Sequence, residues 1–589
     1  MTRKRERLDI VLEAGEIFDG RGGKAFVGDI GIAGERIRAI GDLTGALSER
    51  RIPLSGLAVC PGFVDVHIHV DLVAARGDAA RVLEPLVRQG ITTVVGGNCG
   101  ASVAPAGDNV EDLLMMLLGL NQGDPDDDPA RFPTMASFFE ALEARGLPLN
   151  LGVLAPHNLF RMRALGMHNG RMTREGLSGM KRDLAECLEA GCLGLSLGLQ
   201  YFPGMAAEWD ELFELATLVG KAEGVVTAHL RSYCSDTLDR AADEILSLAR
   251  ACGVQVQLSH MFWVPSFGQP INRGLKTALR ALSRIHEVRP FTLPLPSPIA
   301  ALYEKIAAMN RRGLVAGVDA MPTSASFTFL AAFLPPWALT GSLDAIVARL
   351  RDSATRRLMR RDMEQGRPTW PHRDADSWSL NIVSLFGWDS IRIMSVASER
   401  NRSAEGKTLS ELGRARGAHP MDVLCELLIE ERGSVLAFIS PTYPGDPLVE
   451  MFNRALLLDP HVSIVTDTLL SGFGVPSHLF YDCFPRFLGS YARERKWLSL
   501  EEAIRKCTSL PASQLKLCDR GVLAEGAFAD LVVFDPASIG SRSTPRNPKQ
   551  YPQGIRAVYL NGKPIVDDSG YHPELSPGHL LRRGRFPGS

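Results

Sequence analysis

The chain has 589 residues, 22% of them charged and 45% hydrophobic, with a formal net charge of −2. That is ordinary globular composition, too long for one hydrophobic core, so a large domain and a smaller one are expected. A near-neutral balance leaves no electrostatic footprint for nucleic acid or an anionic membrane. LLMMLLGL comes closest to a membrane span and is far too short for one.

The N-terminus, MTRKRERLDIVLEAG, lacks the apolar run and cleavage site of a secretory signal. Residues 8 to 62 then alternate apolar and polar positions between Gly-rich turns. This predicts a small antiparallel sheet with one wet face. GVLAEGAFADLVVFDP and GIRAVYLNGKPIV repeat the style near the C-terminus. Both termini, 1–62 and 505–589, are therefore expected to build one β-sandwich domain.

Residues 63–504 read differently. Eight apolar runs stand out, most followed by helical stretches: VDVHIH, ITTVVGGNCG, LNLGVLAPHN, CLGLSLGLQ, VVTAHLR, VQVQLSH, LVAGVDA and VSIVTD. Strands alternating with helices predict an α/β fold, a (β/α)8 TIM-like barrel whose active site lies at the C-terminal strand ends. The gap from Asp319 to Asp467 is too long for one βα unit, which places an inserted segment around 325–460. IRIMSVA and SVLAFISP within it read as extra strands, and SLDAIVARLRDSATRRLMRRDMEQG reads as a helix. The Pro-rich run 288–300 reads as a surface loop or lid. Ten scattered cysteines without a CxxC read as reduced thiols, and the expected compartment is the cytoplasm.

Most of the runs end in a side chain that can bind metal or hydrogen-bond. His67 and His69 share a face because strand side chains alternate with period two. Alone, an HxH pair is more often two hydrogen-bonded histidines. Cys99 sits between glycines that admit close backbone approach, and a lone Cys is more often a small buried hydrophobe. His229 and His260 end the fifth and sixth runs, where either can be a satisfied core histidine. Asp467 ends the eighth, where it can instead cap a turn. Taken together, the six supply imidazole, thiolate and carboxylate from five strand ends, the donor set zinc prefers. Asp467 is the candidate general base, returning a proton to a leaving nitrogen that departs poorly unless protonated.

PGFVDVHIHVD, GITTVVGGNCG, GCLGLSLGLQYFPG, TAHLRS, QLSH, CFPRFLGSY and CTSLPASQLKLCDRGVLAEGAFADLVVFDP occur in order along nearly the whole chain. With them the sequence resembles the amidohydrolase superfamily, and most closely the N-acyl-D-amino-acid deacylase (D-aminoacylase) family. The resemblance implies hydrolysis of a carbon–nitrogen bond with a tight zinc at Cys99, His229 and His260. It implies a weaker position at His67 and His69, shared with Cys99 and Asp467, and a β domain built from both termini.

Three departures concern the substrate. SHMF puts Phe262, followed by Trp263, where the family has lysine. DAMPT puts Met321 and Thr323 where it has tyrosines. His478 and Leu479 stand near an expected arginine. Those family residues hold the substrate carboxylate, and a buried carboxylate without such partners pays several kcal/mol in desolvation. The expected substrate is a small molecule, a neutral or bulky hydrophobic amide, carbamate or cyclic amide. The alternatives are a free N-acyl-D-amino acid held from another direction by Arg231, His478 or Arg161, a non-amide bond cut on the same scaffold, or a binding protein without activity. His157 reads as a substrate contact or a structural residue, and Thr468 as a hydroxyl beside the metal or a packing residue. Self-association, frequent among such barrels, has no single apolar patch to mark it.

Overall fold

The computed structural model describes residues 7–106, 132–267, 269–289, 291, 299–366, 380–443, 446–469 and 474–584. Eight short, fully buried strands carry the large α/β region: Phe63–Asp65, Ile91–Gly96, Asn150–Val153 with its continuation Ala155–Pro156, Gly194–Gly198, Val225–His229, Gln255–Leu258, Ala316–Ala320 and Val462–Ile464. Each pairs in parallel with the next in this order. Burial on both faces explains why these runs are continuously apolar rather than alternating. Just beyond the first and eighth strands, Asp467 N–H donates to the His67 carbonyl at 2.9 Å and His69 N–H to the Thr468 carbonyl at 3.1 Å.

The helices between them obey ordinary signals. Thr173 caps Arg174–Ala190 by accepting from Gly176 N–H, and Gly191, at φ 117°, ends it in the left-handed region. Leu238–Cys252 buries Leu238, Ala241, Ala242, Ile245 and Leu248, the stripe of one helix face.

Between the seventh and eighth strands the chain builds a layer of its own. Ser326–Phe329, Val435–Ile439 and Ile391–Val396 form a separate antiparallel sheet with Val435–Ile439 at its centre. IRIMSVA and SVLAFISP are thus strands outside the parallel set. The single helix expected over 342–366 is two, Leu343–Arg351 and Ser353–Gln365. Asp352 stands between them at ψ 120°, and its carboxylate accepts from Thr355 N–H at 2.7 Å, restarting the helix as an N-cap. Of the Pro-rich run, residues 290 and 292–298 lie outside the described residues, as does LLMMLLGL.

The termini share one nine-stranded sheet, joined where Ala58–Pro61 runs antiparallel to Leu531–Phe534. Its own core includes Ile10, Leu12, Ile30, Val59, Leu531 and Tyr559. The sheet is mixed rather than antiparallel. Leu8–Ile17 lies inside it, so Ser48–Pro53 and Ala58–Pro61 reach it by crossing over and pair in parallel. The last strand, Leu580–Leu581, leaves this sheet and pairs with Asn150–Val153. None of the ten cysteines is in a disulfide. Among the described residues no helix is long and apolar enough to cross a membrane.

Candidate metal centre and active-site cavity

The strand ends bring six side chains together. Cys99 Sγ lies 3.3 Å from His67 Nε2, 3.5 Å from His229 Nδ1 and 3.5 Å from His260 Nε2. Asp467 Oδ1 lies 3.4 Å from His67 Nε2 and 3.5 Å from His69 Nε2. Two ligand groups result, His67–His69–Cys99–Asp467 and Cys99–His229–His260, each with its donor atoms within 4.8 Å of one another. All six residues are buried. Burial by itself raises the Cys99 thiol, but the facing His67 charge and hydrogen bonds from His229 and His260 outweigh it and hold the thiol well below its usual range. Soft thiolate, imidazole and one carboxylate fit zinc.

Local backbone explains how the donors converge. Cys99, His260 and Asp467 have φ of 55°, 31° and 49°, the left-handed region that non-glycine residues enter at roughly 1–3 kcal/mol each. The loop after the second strand needs its glycines. A Cβ on Gly97 would stand 2.3 Å from the Leu154 carbonyl oxygen, and one on Gly100 would stand 2.7 Å from Gly198 N.

Two further buried carboxylates lie within PGFVDVHIHVD and DAMPT but are not among the donors expected from the sequence. Asp65 accepts from Thr466 Oγ1 at 2.6 Å and from His67 N–H at 3.2 Å, tying the first strand to the eighth. Asp319 accepts from His260 N–H at 2.5 Å and from the Gln257 side chain at 2.8 Å. Their signal is positional, since Asp65 shares a period-two face with His67 and Asp319 is the acid within the seventh apolar run. Tyr201, within GCLGLSLGLQYFPG, is a third residue with no role assigned from the sequence. Its ring centre is 4.5 Å from that of His229 and its hydroxyl 3.4 Å from Thr328 Oγ1.

Beside the cluster lies a cavity of about 280 Å³ whose lining includes His69, Cys99, His229, His260 and Asp467. Phe262, Trp263, Met321 and Thr323 line it, joined by Phe327, Phe333 and Phe386 from the inserted layer. Among the described residues no lysine or arginine lines it. Phe262 stacks on Tyr233 with ring centres 4.1 Å apart.

The other expected substrate contacts lie elsewhere. His157 Nε2 sits 2.7 Å from Glu211, which Arg161 also engages. Arg231 is held by Glu244 at 2.9 and 3.0 Å and by the carbonyls of Met205 and Ala207. His478 is buried, and burial and the Arg486 charge hold its imidazole well below its usual range. Leu479 is buried, its carbonyl 3.3 Å from Gln89 Nε2. Thr468 is buried too, and none of these residues reaches the cavity. For the two arginines the reason is electrostatic: a buried guanidinium requires a paired anion, and Glu211 and Glu244 supply it from neighbouring helices.

A buried thiolate–imidazole–carboxylate cluster at the ends of parallel strands, opening on one cavity, defines a metal-dependent hydrolase. Comparison with known proteins agrees. The chain is 31% identical to an N-acyl-D-glutamate deacylase of Alcaligenes xylosoxydans xylosoxydans over 98% of its length and 97% of that protein's. It is 29% identical to a D-aminoacylase of the same organism, covering 98% of each. A model described as the amidohydrolase family matches residues 452–566. A crystal structure of N-acyl-D-glutamate deacylase from Bordetella bronchiseptica, holding zinc and a phosphonate mimic of the tetrahedral intermediate, superposes with a TM-score of 0.72. It is 27% identical and covers 98% of this chain and 100% of that one. The chain belongs to the N-acyl-D-amino-acid deacylase (D-aminoacylase) family of amidohydrolases, enzymes that hydrolyse carbon–nitrogen bonds other than peptide bonds.

Proposed function

We propose that this amidohydrolase is zinc-dependent and cleaves neutral, apolar amides, with Cys99, His229 and His260 holding one zinc and His67 and His69 completing a second position with Cys99 and Asp467. Zinc bound there supplies Lewis-acid chemistry and lowers the pKa of a water to about 7. Asp467 takes the proton from the attacking water and returns it to the departing nitrogen, so the amine leaves neutral as the carbon–nitrogen bond breaks. The side-by-side parallel strands and the bonds between Asp467 and His67 support reading residues 63–504 as a (β/α)8 barrel. In this reading the inserted layer of 325–460 roofs its mouth, and the nine-stranded sheet shared by the two terminal segments forms the β-sandwich beside it.

The substrate assignment rests on one observation. Apart from the metal donors, the described lining of the cavity is aromatic, aliphatic or neutral polar. Among the described residues a carboxylate brought there finds no charged partner and pays its desolvation unrelieved, whereas a neutral amide fills an apolar pocket without that cost. The test compares turnover of N-acetyl-D-methionine with that of its amide and an anilide. Preference for the neutral compounds is expected, and a clear preference for the free acid overturns the assignment.

A further inference from the structure

Asp319 stands on the seventh strand, Ala316–Ala320, between the sixth strand and the eighth. It is fully buried and makes three hydrogen bonds beside the site and one close approach to it. Its Oδ1 accepts from the backbone N–H of His260 at 2.5 Å and lies 3.4 Å from His67 Nδ1. Its Oδ2 accepts from Gln257 Nε2 at 2.8 Å, and its main-chain carbonyl accepts from Met261 N–H at 2.7 Å. It lines no part of the cavity and belongs to neither ligand group.

Two of these contacts bracket a strained turn. His260 has φ 31°, a conformation that persists only where the surroundings over-determine it. The N–H groups of His260 and Met261 both end on Asp319, so the turn that aims the His260 ring at Cys99 is fixed by one residue. The His67 contact acts on the other ligand group. A carboxylate facing Nδ1 favours the proton there and leaves Nε2, the nitrogen 3.3 Å from Cys99 and 3.4 Å from Asp467, free to donate to a metal. We propose that Asp319 is a positioning residue that couples the two metal positions, setting the backbone of His260 in one and the tautomer of His67 in the other. This rests on the zinc reading given above.

Asp319→Asn separates the charge from the clamp. The amide oxygen still accepts from His260 N–H. Its new NH2 can meet Gln257 Oε1, which has no partner among the described residues, once Gln257 turns over. The charge beside His67 is lost. The test is zinc titration of wild type and Asp319→Asn against a chromogenic chelator, with thermal melts in parallel. The expected result is zinc binding weakened by about 10- to 100-fold with a melting temperature within a few degrees of wild type. Undiminished zinc affinity overturns the proposal, as does zinc loss that merely follows a lowered melt. Should Asp319→Asn not fold, Gln257→Met, which removes the bond to Oδ2 and a longer one of 3.5 Å to Gln514 Oε1, is expected to weaken zinc several-fold, and unchanged affinity again overturns it. A wild-type chain that takes up no zinc overturns the metal reading itself, an outcome distinct from zinc held equally by both proteins.

Discussion

Asp467 and His67 are joined twice: the Asp467 N–H donates to the His67 carbonyl at 2.9 Å, and Asp467 Oδ1 lies 3.4 Å from His67 Nε2. The backbone bond fixes where the side chain points, so the carboxylate faces both the cavity and the ligand cluster. Asp467→Asn keeps the shape and the backbone bond but cannot take a proton. Turnover is expected to fall by about 10²- to 10⁴-fold. Zinc at Cys99, His229 and His260 is expected to remain, since Asp467 is not in that group. Metal analysis beside steady-state kinetics checks both. Turnover within a few-fold of wild type removes Asp467 from the proton transfers, and chelator treatment of wild type supplies the metal-free reference.

Phe262 bears on substrate choice. It stacks on Tyr233 at 4.1 Å and lines the cavity near His260. Phe262→Lys places an ammonium where the described lining has no cation. A hydrogen bond to a charged group is worth about 1.5–3 kcal/mol, so the ratio of kcat/KM for N-acetyl-D-methionine over its amide is expected to rise tenfold or more. Equal ratios in variant and wild type show that position 262 does not face the substrate's carboxyl end.

The parallel set was legible because each run is short, continuously apolar and closed by a polar side chain. All eight runs hold strands, and the six candidate donors, read from strand ends alone, lie together around Cys99. What sequence could not supply is direction at buried cations. Arg161 and Arg231 stand beside the site in the chain, yet Glu211 and Glu244, each a helix residue distant in sequence from the strand ends, turn them away. Nor does the pattern reveal Asp65 or Asp319, whose work is to accept backbone N–H groups from other strands, a pairing visible only after the strands assemble. The mixed pairing of Leu8–Ile17 escapes for a similar reason, because period-two alternation reports burial and not the sense of the neighbour.

Lys506 predicts a pH dependence remote from the metal. It is fully buried, donating to the carbonyls of Asp459 and Val462 just ahead of and within the eighth strand. Burial lowers its pKa from 10.5 to about 8. Between those values the unfolded chain binds more protons than the folded one, so stability rises with pH. Below pH 8 the charge penalty, of order 3 kcal/mol, is present in full. Relative to Lys506→Met, wild type is expected to gain stability as pH climbs from 8 to 10.5, read as the difference in urea midpoints. A constant difference across that range shows that Lys506 titrates normally.

Glu211 separates support from chemistry. It lies 3% exposed between His157 Nε2, at 2.7 Å, and the guanidinium of the fully buried Arg161. Removing one partner of a buried pair strands the other as an uncompensated charge, a loss of about 3–5 kcal/mol. Glu211→Ala is therefore expected to lower unfolding stability by that amount. Folded enzyme should keep its zinc and a kcat within a few-fold of wild type, because neither His157, Arg161 nor Glu211 lines the cavity. Denaturation curves, together with kcat normalised to folded, zinc-loaded protein, discriminate the two roles. If stability holds while kcat collapses, the trio acts on the substrate, and Arg161 becomes the cation that the described lining of the cavity lacks.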